Sequence, residues 1–508
     1  MAQGVLPFKY EFEKKSTGLT ALAGLPAYLD LAKVIGLSKS IQKHLKVRAG
    51  SQGWTDSQMV LSLILLNLAG GDCVDDIEKL EADDGFCEVL KKAELHGLQR
   101  KVRRALMRRW RKERTRTVPS PTAIFRYLAQ FHNEAQEKIR EPGKAFIPAA
   151  NSYLNGLAWI NKELASFSSF QGSENIATLD MDATLIASGK QSALYCYQGY
   201  KAYQPLNTWW AEQGVVLHTE FRDGNVPAGF EQLRVLKEAL GYLPEGIERV
   251  RLRSDTAGYQ HDLLKYCATG ESSRFGVIEF AIGCDVTSEF KKAVAEVEPS
   301  QWRSLYKVVN GKSQATGVEW AEVCFVPNAI GHSKKGPAYR YLAKRESMVE
   351  QRNFPGMEAQ ISLPFPTMDV KGKKYKVLGI VTNMDWEGDK LIHWLHERCG
   401  KSEEAHAIMK DDLAGGSLPS NDFGENAAWW WLMILAFNLN AMMKRLALGK
   451  SWVSKRMKAV RFSFINLPGR VIRRSRSDII RLTKNHPSLD LLIEARRAIM
   501  QLRPLPSG

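Results

Sequence analysis

The sequence has no C-x-x-C pair among its seven cysteines. Scattered single cysteines fit free thiols in a reducing compartment and give a zinc ribbon or finger little support. It also has no apolar run long enough to cross a bilayer. The most apolar stretch, Trp429–Met443 (WWWLMILAFNLNAMM), is interrupted by Asn438 and Asn440 and reads as a buried core helix. The first residues, MAQGVLPFKYEFEKK, have no apolar segment behind a basic start, so no signal peptide is expected. No internal repeat is visible. Two phosphate and metal motifs are missing as well. The Gly400-Lys401-Ser402 triplet is not a P-loop, because Leu395 stands where that motif needs glycine. The HERCG stretch lacks the second histidine of H-E-x-x-H, and His393 and His396 read better as surface or core residues than as metal ligands.

Acidic residues are also in deficit. Lys and Arg number 71 against 55 Asp and Glu, a net charge of +16 and a pI near 9.4. Such an excess points to a polyanionic partner, a nucleic acid or an anionic membrane. The length of 508 residues is enough for about three domains.

Residues 1–150 carry helix-period apolar faces, as in PAYLDLAKVIGLSKSIQKHL and TDSQMVLSLILLNLAGG. From Arg100 to Arg116, ten of seventeen residues are basic and only Glu113 is acidic. Ten like charges repel one another without a partner, so Arg103, Arg104, Arg108 and Arg109 are candidates for phosphate contact rather than a merely solvated face. Ser120 or Thr122 can cap the helix that follows. A basic helix before a capped one loosely resembles a helix-turn-helix reader.

From about residue 175 the pattern changes to strands, expected at 177–183, 193–199, 214–222, 249–254 and 276–283, with helices at 229–241 and 259–268. A β-rich block spans about 286–392. Helix returns at about 391–414 and 425–448, and a basic tail occupies 450–508. This order predicts a mixed sheet flanked by helices.

The stretch IATLDMDATL (Ile176–Leu185) reads as a buried strand, yet it holds two acids. Leu179, Met181 and Ala183 point one way and Asp180, Asp182 and Thr184 the other. Adjacent carboxylates on one strand face need a positive partner. A further acid, Asp255 in RVRLRSDTAGYQ, sits past a strand end, where functional groups of α/β sheets gather; by itself it reads rather as the cap of the following helix. In HWLHERCGKSEEAHAIMKDDLAGG, seven-residue spacing on a continuous helix puts Glu403 and Lys410 on one face, near His396, Cys399 and His406.

Taken in order, LDMDAT, YQGYKAYQPL, LRSDTAGYQ and HERCGKSEEAHAIMKDDLAGG resemble the DDE transposases of bacterial insertion sequences, most closely insertion-sequence group thirteen-eighty within the insertion-sequence-four superfamily. The resemblance covers about residues 178–416. It implies an RNase H-like α/β catalytic core with a β-rich insertion before the last catalytic helix, preceded by an all-helical DNA-binding region. The implied divisions are 1–150 (DNA-binding), 151–285 (core, first part), 286–390 (insertion), 391–448 (core with catalytic helix) and 449–508 (basic helical tail). The implied acids are Asp182, Asp255 and Glu403, with Glu404 in reserve; Asp180, on the same strand face as Asp182, reads as a ligand, a supporting acid or a residue simply hydrogen-bonded at the sheet edge. His396 and Cys399 occupy the family's Tyr and Arg positions, with Arg398 one residue early. Lys410 is the implied phosphate contact, and Lys201 in YQGYKAYQPL reads equally as a phosphate contact or an exposed turn lysine. The implied cofactor is Mg²⁺ or Mn²⁺, as two ions held by oxygen ligands.

The implied activity is metal-assisted cleavage of element ends and joining of their 3′ hydroxyls to target DNA. The implied partners are double-stranded DNA and a second copy of the chain on that DNA, with no membrane, in the bacterial cytoplasm. A non-catalytic DNA-binding descendant and a plain RNase H-like nuclease are the alternatives. In the insertion, Trp302, Trp320 and Trp386 lie among basic residues. Most are expected in the core, and Trp302 and Trp320 are the two to test for stacking on unpaired bases.

Overall fold

The computed structural model describes residues 17–48, 53–112, 116–141, 143–309, 311–327, 339–348, 366–370, 372–474 and 478–505. Its centre is a mixed ten-stranded sheet. In chain order its strands are β1 (Ile176–Ala183), β2 (Leu206–Trp210), β3 (Val215–Glu220), β4 (Arg249–Ser254), β5 (Glu279–Cys284), β6 (Arg303–Val309), β7 (Lys312–Val323), β8 (Arg340–Ser347), β9 (Thr367–Val370) and β10 (Lys373–Thr382). β1, β2 and β3 form an antiparallel meander. β4 then pairs parallel with β1, and β5 parallel with β4. Between β5 and the last helices, β6, β7, β8 and β10 extend the same sheet outward from β5, with β9 paired to β10.

The alternation read in β1 holds. Ala177, Leu179 and Met181 are buried in an apolar cluster with Ala165, Val235, Leu236, Leu263, Leu264 and Phe290, from the helices α1 (Ser152–Phe170), α2 (Gln232–Tyr242), α3 (His261–Thr269) and α4 (Ser288–Ala295) that cover one face. The acids therefore look to the opposite face. There α5 (Gly388–His396) packs Leu391, Ile392 and Leu395 against Ala281, Leu342 and Ile380. Gly388 is required at that contact, since a Cβ there would lie 2.2 Å from the Trp320 ring.

The expected strand at 193–199 does not join the large sheet. Gly199, at φ +83°, closes a tight turn after Cys196, and only Leu194–Tyr195 is extended, in a small sheet with Ile186–Ala187 and Lys201–Tyr203. The second strand of the large sheet is β2 instead. Its residues Leu206, Asn207, Thr208 and Trp210 are all buried, so it lacks the in-out alternation of a half-buried strand.

The apolar stretch predicted as a core helix is α7 (Phe423–Met442), buried along its whole length between the helices Asp56–Ala69 and Ser152–Phe170 and the edge strand β3. Asn438 is the reason it can lie against an edge strand. Asn438 accepts from the Val216 amide (2.8 Å) and donates to the Val216 carbonyl (2.7 Å), replacing the missing neighbour strand. Asn161 adds donations to the Val216 and Leu217 carbonyls, both at 2.9 Å. Leaving such buried backbone groups unpaired costs about 1–3 kcal/mol each. No single helix among the described residues is long and apolar enough to cross a membrane.

The described residues among the first 150 are mostly helical, although Leu19–Thr20 forms a short strand with Gly469–Ile472 from the tail. The tail also holds the strand Ile479–Leu482, so it is not helical throughout. Its last helix, Leu489–Gln501, packs on Pro26–Ile35. Ser120 is the cap of Pro121–Leu128, accepting from the Ala123 amide. That helix buries Ile124, Tyr127 and Leu128 and is part of the helical core.

Candidate active site

Two acids are placed by adjacent parallel strands. Asp182 is the seventh residue of β1, and Asp255 follows the last residue of β4. Asp255 also caps the turn Thr256–Gly258, accepting from the Ala257 amide at 3.0 Å, so the capping role is real. Its exposure leaves the carboxylate open to solvent as well. Asp182 and Asp255 line one open cleft of about 500 Å³, together with Tyr195, Tyr197, Gln204 and Asn225.

The third acid comes from the other side. The expected continuous helix over 391–414 is broken. α5 ends at His396, a turn follows through Gly400 at φ +80°, and a new helix, α6 (Lys401–Ala407), runs into a wider π-turn at Ile408–Asp412. The break lets Arg398 reach Asp182, with Nη1 3.1 Å from Oδ2. Glu403 stands in the first turn of α6 and accepts the Gly400 amide at 2.6 Å. Glu403 and Glu404 are both exposed, but the charge of Glu404 acts on Lys444, whereas that of Glu403 acts on Asp182.

These charges converge on Asp182. Burial first, then repulsion from Asp255 and Glu403, push its carboxyl up to about 7, against the pull of Arg398. Arg398 alone does not offset that burial and repulsion. Asp180, two residues earlier, is different. It is 3% exposed and accepts both arms of Arg253, at 2.6 and 2.9 Å. That pair ties its carboxylate to the neighbouring strand β4.

Behind Asp182, Asn207 lies opposite in the β1–β2 register. It accepts from Thr219 (2.6 Å) and meets His406 Nε2 at 3.3 Å, and Trp430 donates to Thr219 at 2.9 Å. Burial, with Lys410 and Arg398 acting the same way against Glu403, pushes His406 down to about 4, so its ring is neutral near pH 7. Lys410 donates to the Leu185 carbonyl at 3.2 Å, which places it beside the loop that leaves β1.

The other candidates lie elsewhere. Lys201 donates to the Gln191 carbonyl at 2.9 Å within the small sheet. Arg103 and Arg104 are exposed on the helix Arg100–Lys112; Arg108 and Arg109 belong to that helix, but their side chains lie outside the described residues. His393 meets the Tyr306 carbonyl (2.6 Å) and His396 meets Lys344 (3.2 Å), so neither is arranged as a metal ligand. Trp302 and Trp320 are 9% and 4% exposed, with Arg345 and Arg303 over their rings, which leaves no free face for a base.

Sequence reasoning missed Arg253 and gave Arg398 no partner. A signal for Arg253 was present: Arg253-x-Asp255 repeats on β4 the spacing of Asp180-x-Asp182 on β1.

A model of the family described as Transposase DDE domain group 1 matches residues 10–504. The chain belongs to this family of DDE transposases. Among solved structures, it is similar to a piggyBac transposase synaptic complex with hairpin DNA, at 10% identity over 87% of this chain and 79% of that one, TM-score 0.38. It is also similar to a Drosophila P element transposase strand transfer complex, at 13% identity over 56% and 53% of the two chains, TM-score 0.20. Both scores are too low for either likeness to carry an argument. No curated protein matches the chain.

DDE transposases use divalent metal ions, which the residues can be tested against. The donors, Asp182, Asp255 and Glu403, are all carboxylates, the chemistry Mg²⁺ and Mn²⁺ prefer. A cation would favour the ionised form of Asp182 against that burial and repulsion. In their present rotamers they do not close on one point: among the described residues no group of three or more His, Cys, Asp or Glu is arranged to hold an ion. The donor chemistry therefore fits, while the geometry is open.

Proposed function

We propose that this transposase binds the ends of an insertion sequence, hydrolyses the phosphodiester there and joins the freed 3′ hydroxyl to target DNA. One observation carries the reading: in a chain matched nearly end to end by a DDE family, Asp182 and Asp255 leave neighbouring parallel strands into one cleft, with the charge of Glu403 directed at Asp182.

Asp182, Asp255 and Glu403 would hold the metal. Bound divalent ions supply an activated attacking oxygen and stabilise the leaving one. The chain's own residues do the rest. Lys410, beside Leu185, is near enough to the strand of Asp182 to hold a backbone phosphate at the cleft mouth. Neutral His406 and Asn207 support the floor under Asp182 without adding a charge. Arg398 balances part of the acid cluster until substrate and metal arrive. The exposed arginines of Arg100–Lys112 bind DNA away from the cut by phosphate neutralisation, with Arg108 and Arg109 as further contacts and Lys201 as one near the small sheet.

We read β1 to β5 with the helices around them as an RNase H-like core and β6 to β10 as the family's β-rich insertion, and we keep the assignment to insertion-sequence group thirteen-eighty on the motifs quoted above. The divisions at 150, 285, 390 and 448, a homodimer formed on DNA and a cytoplasmic site of action belong to the same proposal. The test is to incubate the protein with a duplex of its flanking DNA end and Mg²⁺ or Mn²⁺, and to look for end cleavage and strand transfer. Ca²⁺, which binds at longer distance and in looser geometry, is expected to permit assembly without reaction. Cleavage that persists in excess chelator, or the absence of any cleavage with flanking ends, sinks the reading.

A further inference from the structure

The carboxyl ends of β1 and β4 are matched. Asp180 and Arg253 stand opposite each other in register, two residues before Asp182 and Asp255. Arg253 is 1% exposed, and each of its nitrogens has a partner. Nε and Nη2 grip Asp180, and Nη1 donates to the Trp394 carbonyl at 2.6 Å. The Trp394 ring covers the guanidinium, 5.0 Å from its carbon.

The Trp394 carbonyl lies in the last turn of α5. Its neighbours there are satisfied by the chain itself: His393, Leu395 and His396 accept from the amides of Glu397, Arg398 and Cys399. Trp394 accepts from Arg253 instead. A cation at a helix C-terminus is favourable, and a side chain on the last carbonyls fixes where the helix stops. Directly after this stop come Arg398, paired to Asp182, the reversal at Gly400, and α6 with Glu403.

We propose that Arg253, oriented by Asp180, is a positioning residue. It joins the strands that carry Asp182 and Asp255 to the helix end that delivers Arg398 and Glu403. The planar fork of arginine is needed, because one side chain must meet a carboxylate bidentately and a carbonyl at once, which lysine cannot do. The proposal rests on the reading of Asp182, Asp255 and Glu403 as the cleaving acids.

The test uses the full chain, with Arg253→Lys and the apolar double variant Asp180→Leu/Arg253→Met, since an apolar replacement of a buried pair is often neutral for folding. Single-turnover cleavage of the flanking-end duplex is expected to fall about 100-fold, the scale of an ångström-sized misplacement. The Kd for that duplex should stay within about two-fold, because no DNA contact is removed. Hydrogen exchange of amides 397–407 should speed up in both variants without DNA or metal. A folded double variant with wild-type exchange there and wild-type cleavage overturns the proposal. So does unfolding of both variants, which would make the pair a determinant of folding. If the wild type cleaves no DNA, the acid assignment fails, and exchange at 397–407 still decides whether Arg253 sets the helix end.

Discussion

The helix Arg100–Lys112 and the cleft at Asp182 both concentrate like charge, and they are built in opposite ways. The helix draws its charges from consecutive residues, and Arg100 to Arg104 lie exposed along it. Water and salt screen them, so their repulsion is small and a polyanion can replace the salt at once. The cleft draws its charges from three distant segments and holds Asp182 with only 20% of its side chain exposed. There burial first, with repulsion from Asp255 and Glu403 behind it, is enough to move a titration. One concentration suits many weak, interchangeable contacts. The other suits a few contacts of fixed geometry.

The sharpest way to break this comparison is to remove charges from each side. Asp182→Ala, Asp255→Ala and Glu403→Ala are each expected to reduce cleavage to background, while filter binding of the flanking-end duplex stays near wild type. If Glu403→Ala cleaves normally and Glu404→Ala does not, the acid has been assigned one residue out of register.

The next effect is on stability. Asp182 has a folded pKa of about 7 against an ordinary 3.8. A raised acid favours folding fully below the unfolded value, and that contribution is lost as pH rises from about 4 through 7. In metal-free buffer, Asp182→Asn should therefore be more stable than wild type at pH 8, by on the order of 4 kcal/mol at most. The gap should close on acidification to pH 4. Denaturant unfolding across that range checks it, and an unchanged gap would mean that the cluster is already neutralised.

On the basic side the effect is graded. Changing Arg103, Arg104, Arg108 and Arg109 to Ala should lower the log–log salt slope of DNA binding by about 0.9 for each phosphate that is no longer neutralised. Cleavage at saturating protein should be unaffected. An unchanged slope would make the helix a solvated face and end its half of the comparison.

The two regions also differ in how far they could be read from the sequence. The basic helix was legible because its signal is local, as were the alternation of β1 and the core helix around Trp429–Met443. The acids themselves were named, but their partners were not. Arg253 meets Asp180 through a strand register set by residues 73 positions apart. Arg398 reaches Asp182 only because α5 stops at His396, whereas heptad spacing treated 391–414 as one helix. The stop depends on a side chain from β4, which no local propensity encodes. β2 was missed for a related reason. Both of its faces are covered, so the period-two signal that reveals a half-buried strand is absent.

The smallest effect tests whether Arg398 stands in for a cation. It is the nearest positive group to Asp182, yet it does not bring the carboxyl down to its ordinary range. Removing it in Arg398→Ala leaves Asp182 facing Asp255 and Glu403 alone, so the metal-free protein should melt a few degrees lower. A divalent ion would then relieve more repulsion than it does in the wild type, because binding to the folded state alone stabilises in proportion to affinity. Mg²⁺ should therefore raise the melting temperature of Arg398→Ala by more than that of wild type, and by least in Asp182→Asn. Differential scanning fluorimetry with and without chelator measures all three. Equal Mg²⁺ shifts in the three proteins would place the ion, and hence the cation deficit, somewhere other than Asp182.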